Sequence, residues 1–168
     1  GETEELARKA DPNDHTYIVP AFSGLGAPWW RDDIYASISG MSRTTGREEI
    51  VKAGCECIAY QINDVIDAMR KDSEIDISQM CVDGGPTRNK YLMQFQSDIS
   101  QTEIKIPDAE ELSVIGAGYL AGESAGYYEP DDIYKAITYN FFETEMPEQE
   151  RNEKVQGWNE AVEMLLKK

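Results

Sequence analysis

In the stretch "VDGGPTRNKYLMQFQSDI", residues 82–99, a carboxylate and two adjacent glycines stand between a short apolar run and an amphipathic one. A glycine pair where a strand ends and a helix begins lets a ligand approach the backbone closely. The start of the helix adds N–H groups without intrahelical partners and the positive end of the helix dipole. A nucleotide could lie against Gly84 and Gly85, with Asn89, one turn on, reaching its ribose or a phosphate. The same glycines also suit a tight turn that needs them only for its dihedral angles. Asp83 has three available roles: general base, magnesium ligand, or cap of the following turn through backbone N–H groups, with capping favoured.

Other chemistries find little footing. The single histidine, His15, rules out a Ser/His/Asp arrangement and lies far from any cysteine pair, which argues against zinc. No G-x-x-x-x-G-K-[ST] phosphate loop occurs. Cys55, Cys57 and Cys81 are an odd number of thiols, and the first two point in different directions if their segment is helical. They read as plain buried or half-buried thiols. Sixteen basic against 32 acidic residues give a net charge of −16, which excludes a nucleic-acid-binding surface. A phosphate ligand would need local N–H groups, a metal ion or a few nearby cations. No apolar run is long enough to span a bilayer and the acidic start is unlike a secretory signal, so a cytoplasmic protein is expected.

The elements that must position this turn follow from pattern. Residues 1–16 form a polar leader, helical or loose, closed by the turn-rich "DPND". "YIVPAF", 17–22, is a strand with Pro20 at an irregular end, and Trp29 and Trp30 anchor the next loop on the core. "IYASISGM", 34–41, is a second strand. A capping box of Thr45 and Glu48 opens a long helix whose core face runs through Ile50, Gly54, Ile58, Ile62, Val65 and Met69, with Gly54 in close packing. A short strand at 80–82 precedes a helix at 87–100 that buries Leu92, Phe95 and Ile99. A strand at 102–107 ends at Pro107, and a Gly/Ala-rich helix covers 113–126. In the tail, "PDDIYKAI" is a helical turn or two and "TYNFFETEMP" is irregular. A terminal helix docks through Val155, Trp158, Val162 and Leu165. Strands alternating with helices predict an α/β domain, its sheet covered by helices.

The blocks "VPAFSGLGAPWW", "AGCECIAYQINDVIDAM", "VDGGPTRNKYLMQFQSDI" and "GAGYLAGESAGYY" stand in the order and spacing found in the C-terminal half of FGGY carbohydrate kinases, and the third resembles the glycerol kinase branch most. The resemblance covers about Tyr17 to Tyr128. It implies an actin-like, ribonuclease-H-like fold, here incomplete, in which 17–130 is the nucleotide-side core and 131–168 a tail. It further implies ATP or ADP held by Gly85 and Asn89, with Gly84 keeping the approach open, and Mg²⁺ as cofactor. The phosphate loops, the catalytic base and most glycerol contacts would precede this segment, so no catalytic or metal-binding residue is assigned and the chain alone should be inactive. Two alternatives stay open: a fragment of a xylulokinase or gluconokinase, or a non-catalytic module binding nucleotide or a partner. An incomplete sheet could leave an edge that pairs with a second copy, so a homo-oligomer is a further expectation. Gly54 and Cys55 depart from the family pattern, which implies altered helix packing without altered chemistry.

Overall fold

The computed structural model describes residues 1–73, 75–108, 112–127, 129 and 137–167, and the expected helical turn in "PDDIYKAI" lies almost wholly outside them. The organising element is α2, Arg47–Ser73, a 27-residue helix. Its start is fixed by Glu49, which accepts from the Gly46 N–H at 2.8 Å and from the Asp11 N–H at 3.0 Å. These backbone donors hold the Glu49 carboxyl below its ordinary range. Glu49 thus takes the place expected for Glu48. Thr45 instead accepts from the Ser42 N–H at 2.8 Å and donates to Asp14 at 2.8 Å, closing the loop before the helix.

The buried arc of α2 differs from the expected one. Ile58, Val65 and Met69 are exposed, while Ala53, Cys57, Ala59, Tyr60 and Ile66 are buried together with Lys52, Glu56, Asn63 and Asp64. The physical reason is that α2 is covered from several directions, by α1 (Glu2–Lys9), by β1 (Tyr17–Val19) and by α3 (Lys90–Ser100). Polar side chains enter this arc with partners for most of their groups, although Asn63 Oδ1 accepts no hydrogen bond among the described residues. Lys52 pairs with Glu56 at 3.5 Å, Glu56 accepts from the Tyr91 hydroxyl, and Asn63 donates to Asp67 at 2.9 Å. Gly54 is not forced by packing, since a Cβ there would meet only Ile18 Cδ1 at 3.9 Å.

Two small sheets flank this helix layer. In one, β1 pairs antiparallel with β2, Ser37–Ser39, placing Ile18 opposite Ile38. In the other, β3 (Gln79–Cys81) runs parallel to β4 (Glu103–Pro107), with α3 as the connection between them. β5 (Tyr139–Phe142) then adds antiparallel to β4, giving the order β3-β4-β5. β5 corrects the irregular reading of "TYNFFETEMP": ladder pairing with β4 supplies order that a short segment does not announce by itself. Lys105 also stands over the Tyr139 ring at 3.9 Å. α4 spans Leu112–Ser124.

The terminal helix α5, Glu148–Leu166, docks as its stripe predicts, burying Trp158, Val162 and Leu165. Tyr60 stacks on Trp158, with centroids 5.1 Å apart and planes 7° from parallel, and meets Phe95 edge-on at 5.4 Å. Leu92, Phe95 and Ile99 join the same core. Of the tryptophan pair only Trp29 anchors the loop, through its indole N–H, while Trp30 stays exposed. All three thiols are free, Cys55 and Cys57 buried as expected and Cys81 exposed, because β3 presents it outward.

Candidate functional site: the glycine turn after β3

The pairing of β3 with β4 continues one residue further, where the Val82 N–H donates to the Lys105 carbonyl at 3.0 Å. The strand then stops and the chain turns at Gly84, whose φ of 104° and ψ of 174° belong to a region only glycine enters without strain. A single 3₁₀ turn, Gly85–Arg88, follows with Pro86 near its start. Thr87 closes it twice on the Gly84 carbonyl, from its N–H at 3.1 Å and from its hydroxyl at 2.7 Å. The turn is therefore stapled by Thr87. Asp83 is exposed and forms no hydrogen bond to the turn among the described residues, so the favoured capping role is corrected.

The two glycines separate by physical role. Gly84 is required by its backbone angles. Gly85 has no such angle and a Cβ built on it would meet nothing within 4 Å. Among the described residues, neither turn geometry nor packing calls for glycine at 85.

Asn89 links the turn to α3. It is the N-cap, its Oδ1 accepting from the Leu92 N–H at 3.1 Å, and its Nδ2 lies 3.8 Å from the Cys55 sulfur on α2. The helix end is less open than the sequence implied. The Lys90 N–H donates to Glu4 of α1 at 3.4 Å, and Glu4 is itself held by Arg8 at 3.0 Å, whose hydrogen bond keeps that carboxyl below its ordinary range. A carboxylate thus already occupies the anion position at the start of α3. The turn thus presents the backbone of Gly84 and Gly85 and the half-buried side chain of Asn89, with Asp83 and Arg88 exposed along the same segment.

Among the described residues no group of three or more His, Cys, Asp or Glu is placed to hold a metal ion. No described helix is long and apolar enough to cross a membrane.

Known proteins place this geometry in context. Residues 2–125 match the sequence profile described as FGGY family of carbohydrate kinases, C-terminal domain. A glycerol kinase of Natranaerobius thermophilus is 45% identical over 168 residues, covering 98% of this chain and 33% of that protein. The glycerol kinase of Bacillus subtilis is 42% identical, covering 98% of this chain and 34% of its own length. The crystal structure of Plasmodium falciparum glycerol kinase with ADP superposes with a TM-score of 0.89 at 38% identity, over 98% of this chain and 33% of that one. The chain spans about one third of the length of these relatives. A xylulose kinase from Lactobacillus acidophilus, 17% identical with a TM-score of 0.78 over 97% of this chain and 33% of that one, shares the fold. The α/β architecture is that of the actin-like kinases it superposes on, and this chain belongs to the FGGY family of carbohydrate kinases.

Proposed function

We propose that this chain is the nucleotide-side, C-terminal part of a glycerol kinase, with 17–130 as its core and 131–168 as a tail. The complete protein would transfer the γ-phosphoryl group of ATP to a terminal hydroxyl of glycerol in the cytoplasm. The observation that carries this reading is Gly85, a glycine demanded by neither its backbone angles nor its surroundings, at a strand-to-helix turn of a chain similar throughout to glycerol kinases. The adenosine would lie across Gly84 and Gly85 with Asn89 at its edge. The acidic Glu4 at the start of α3 directs the phosphates away from that helix and toward the rest of the parent. Mg²⁺ would arrive with the nucleotide phosphates, since this ion characteristically takes one or two carboxylates plus phosphate oxygens and water. Catalysis of this kind is positioning plus charge stabilisation by parts that must be present together, so the chain by itself is expected to be inactive.

The test is a coupled assay of ADP formation by the complete parent with a panel of glycerol, xylulose and gluconate. Glycerol-dependent turnover supports the assignment, and turnover confined to a sugar replaces it with another kinase of the family. Asn89→Ala should raise the KM for ATP more than the KM for glycerol. Equal effects on the two would remove Asn89 from the nucleotide site.

A further inference from the structure

Two cavities, of about 390 Å³ and 330 Å³, share Lys52 and Glu56 of α2 and Glu150 and Lys154 of α5 in their walls. Most of the other charged groups around the larger one are already answered. Arg8 is held by Glu4 at 3.0 Å, Asp98 accepts from the Glu145 and Met146 N–H groups at 2.7 Å and 3.1 Å, and Glu56 accepts from the Tyr91 hydroxyl. The two lysines are not. Their side chains are only 9% and 17% exposed, yet their ion-pair partners Glu56 and Glu150 stand at 3.5 Å and 3.7 Å. Both distances exceed the roughly 2.7–3.2 Å of a well-formed N–H···O bond. Each ammonium carries three donors, and neither makes a hydrogen bond among the described residues.

A sheltered ammonium with donors to spare is costly until an acceptor reaches it. A charged oxygen makes the stronger bond, but Glu56 and Glu150 would oppose a second negative charge on the same ligand. The larger cavity also has Ala7, Ala10, Phe95 and Met146 in its wall, which suits a hydrocarbon body. We propose that this cleft binds a small organic acid with a single carboxylate, whose oxygens accept from Lys52 and Lys154 while its hydrocarbon part lies against Phe95 and Met146. Its walls include none of Gly84, Gly85 and Asn89, so the proposal stands apart from the nucleotide reading of the turn.

The probe is n-hexanoate, titrated by calorimetry into the complete parent with Mg-ADP and glycerol already present, so that sites for those ligands are filled. Saturable binding with a Kd of about 1 mM is expected for so small a ligand. Lys52→Met keeps most of the buried side chain without its charge and should weaken hexanoate at least about tenfold. Lys154→Gln should weaken it about threefold. Thermal midpoints without ligand report whether each variant is folded, and if Lys52→Met does not fold, Lys154→Gln decides alone. n-Hexanol, which has the same body without the carboxylate, and inorganic phosphate should each bind at least about tenfold more weakly than hexanoate. No saturable binding of hexanoate overturns the proposal outright. Hexanol binding as well as hexanoate would leave an apolar cavity only, and phosphate doing so would overturn the preference for a single carboxylate. Affinity unchanged in the folded lysine variants would remove the cleft as the place of binding.

Discussion

The indole N–H of Trp158 donates to the Asp64 carboxylate across 3.0 Å and 94 residues of sequence. The same oxygen accepts from Trp29 at 3.1 Å, so one carboxylate joins α5, α2 and the loop after β1. Burial pushes the Asp64 carboxyl above its ordinary range, and the two indoles only partly offset it. A raised carboxylate pKa means the folded state favours the protonated form. Stability from this group therefore rises as pH falls through the folded-state pKa, and is fully gained below the unfolded value of about 3.9.

From that sign a first prediction follows. Asp64→Asn keeps one oxygen able to accept from both indoles and removes the buried charge, so at neutral pH it should be as stable as wild type or more so. Lowering the pH should then favour wild type relative to the variant. Carboxylates held low, such as Glu4 and Glu49, weaken both proteins equally in acid and cancel in the difference. Asp64→Leu strands a buried indole N–H and should cost about 2–3 kcal/mol. Urea midpoints from pH 4 to 7 decide it; a difference that does not change with pH would refute the assignment.

Gly84 and Gly85 should separate in the same way that their geometry does. Gly84→Ala forces a side chain into a region only glycine enters freely and should cost about 1–3 kcal/mol. Gly85→Ala should change the thermal stability by no more than about 0.5 kcal/mol. Differential scanning calorimetry of the two variants tests this directly, and equal losses would mean that Gly85 is structural after all.

Gly157 of α5 lies against Tyr17 so closely that a Cβ would stand 2.2 Å from the Tyr17 hydroxyl oxygen. Helix propensity alone would make Gly157→Ala stabilising by about 1 kcal/mol. Overpacking against a rigid aromatic ring reverses the sign, and a net loss of about 1–2 kcal/mol is expected. A raised melting temperature would show that α5 sits further from β1 than described.

Arg70 at the end of α2 donates to the Ser100 carbonyl at 2.9 Å, the Ile77 carbonyl at 2.8 Å and the Thr102 hydroxyl at 2.9 Å. It clamps the segment before β3 to the segment before β4. Arg70→Ala should cost about 2–3 kcal/mol, and Arg70→Lys should recover little, because an ammonium cannot reproduce the planar fork. Hydrogen exchange should accelerate first at the amides of β3 and β4. Unchanged protection there would contradict the clamp.

Much of this architecture was legible because it is written in hydrophobic spacing. Leu92, Phe95 and Ile99 in α3, and Trp158, Val162 and Leu165 in α5, repeat at helical intervals and are buried as that spacing requires. The face of α2 was misread for a physical reason. Periodicity counts apolar residues, but this helix buries Lys52, Glu56, Asn63 and Asp64; Lys52 and Asn63 find partners one turn on, whereas Glu56 and Asp64 are met by Tyr91, Trp29 and Trp158, which sequence does not bring together. β5 escaped because its order comes from β4. In the candidate site, the glycine turn between β3 and α3 was legible from the strand-to-helix pattern, and Asn89 stands where that pattern begins α3. Glu4 at the start of α3 and the contact from Asn89 to Cys55 were not, since 86 and 34 residues separate those partners.

The bond from Trp158 to Asp64 also bears on how the chain is made. A ribosome releases Asp64, Tyr60 and Trp29 long before α5 emerges, and until then the buried carboxylate and the Tyr60 ring have no Trp158 to meet. The nascent polypeptide must pass through an interval in which α2 and α3 can associate while one wall of their shared interior stays wet. Slowing translation upstream of α5 should lengthen that interval.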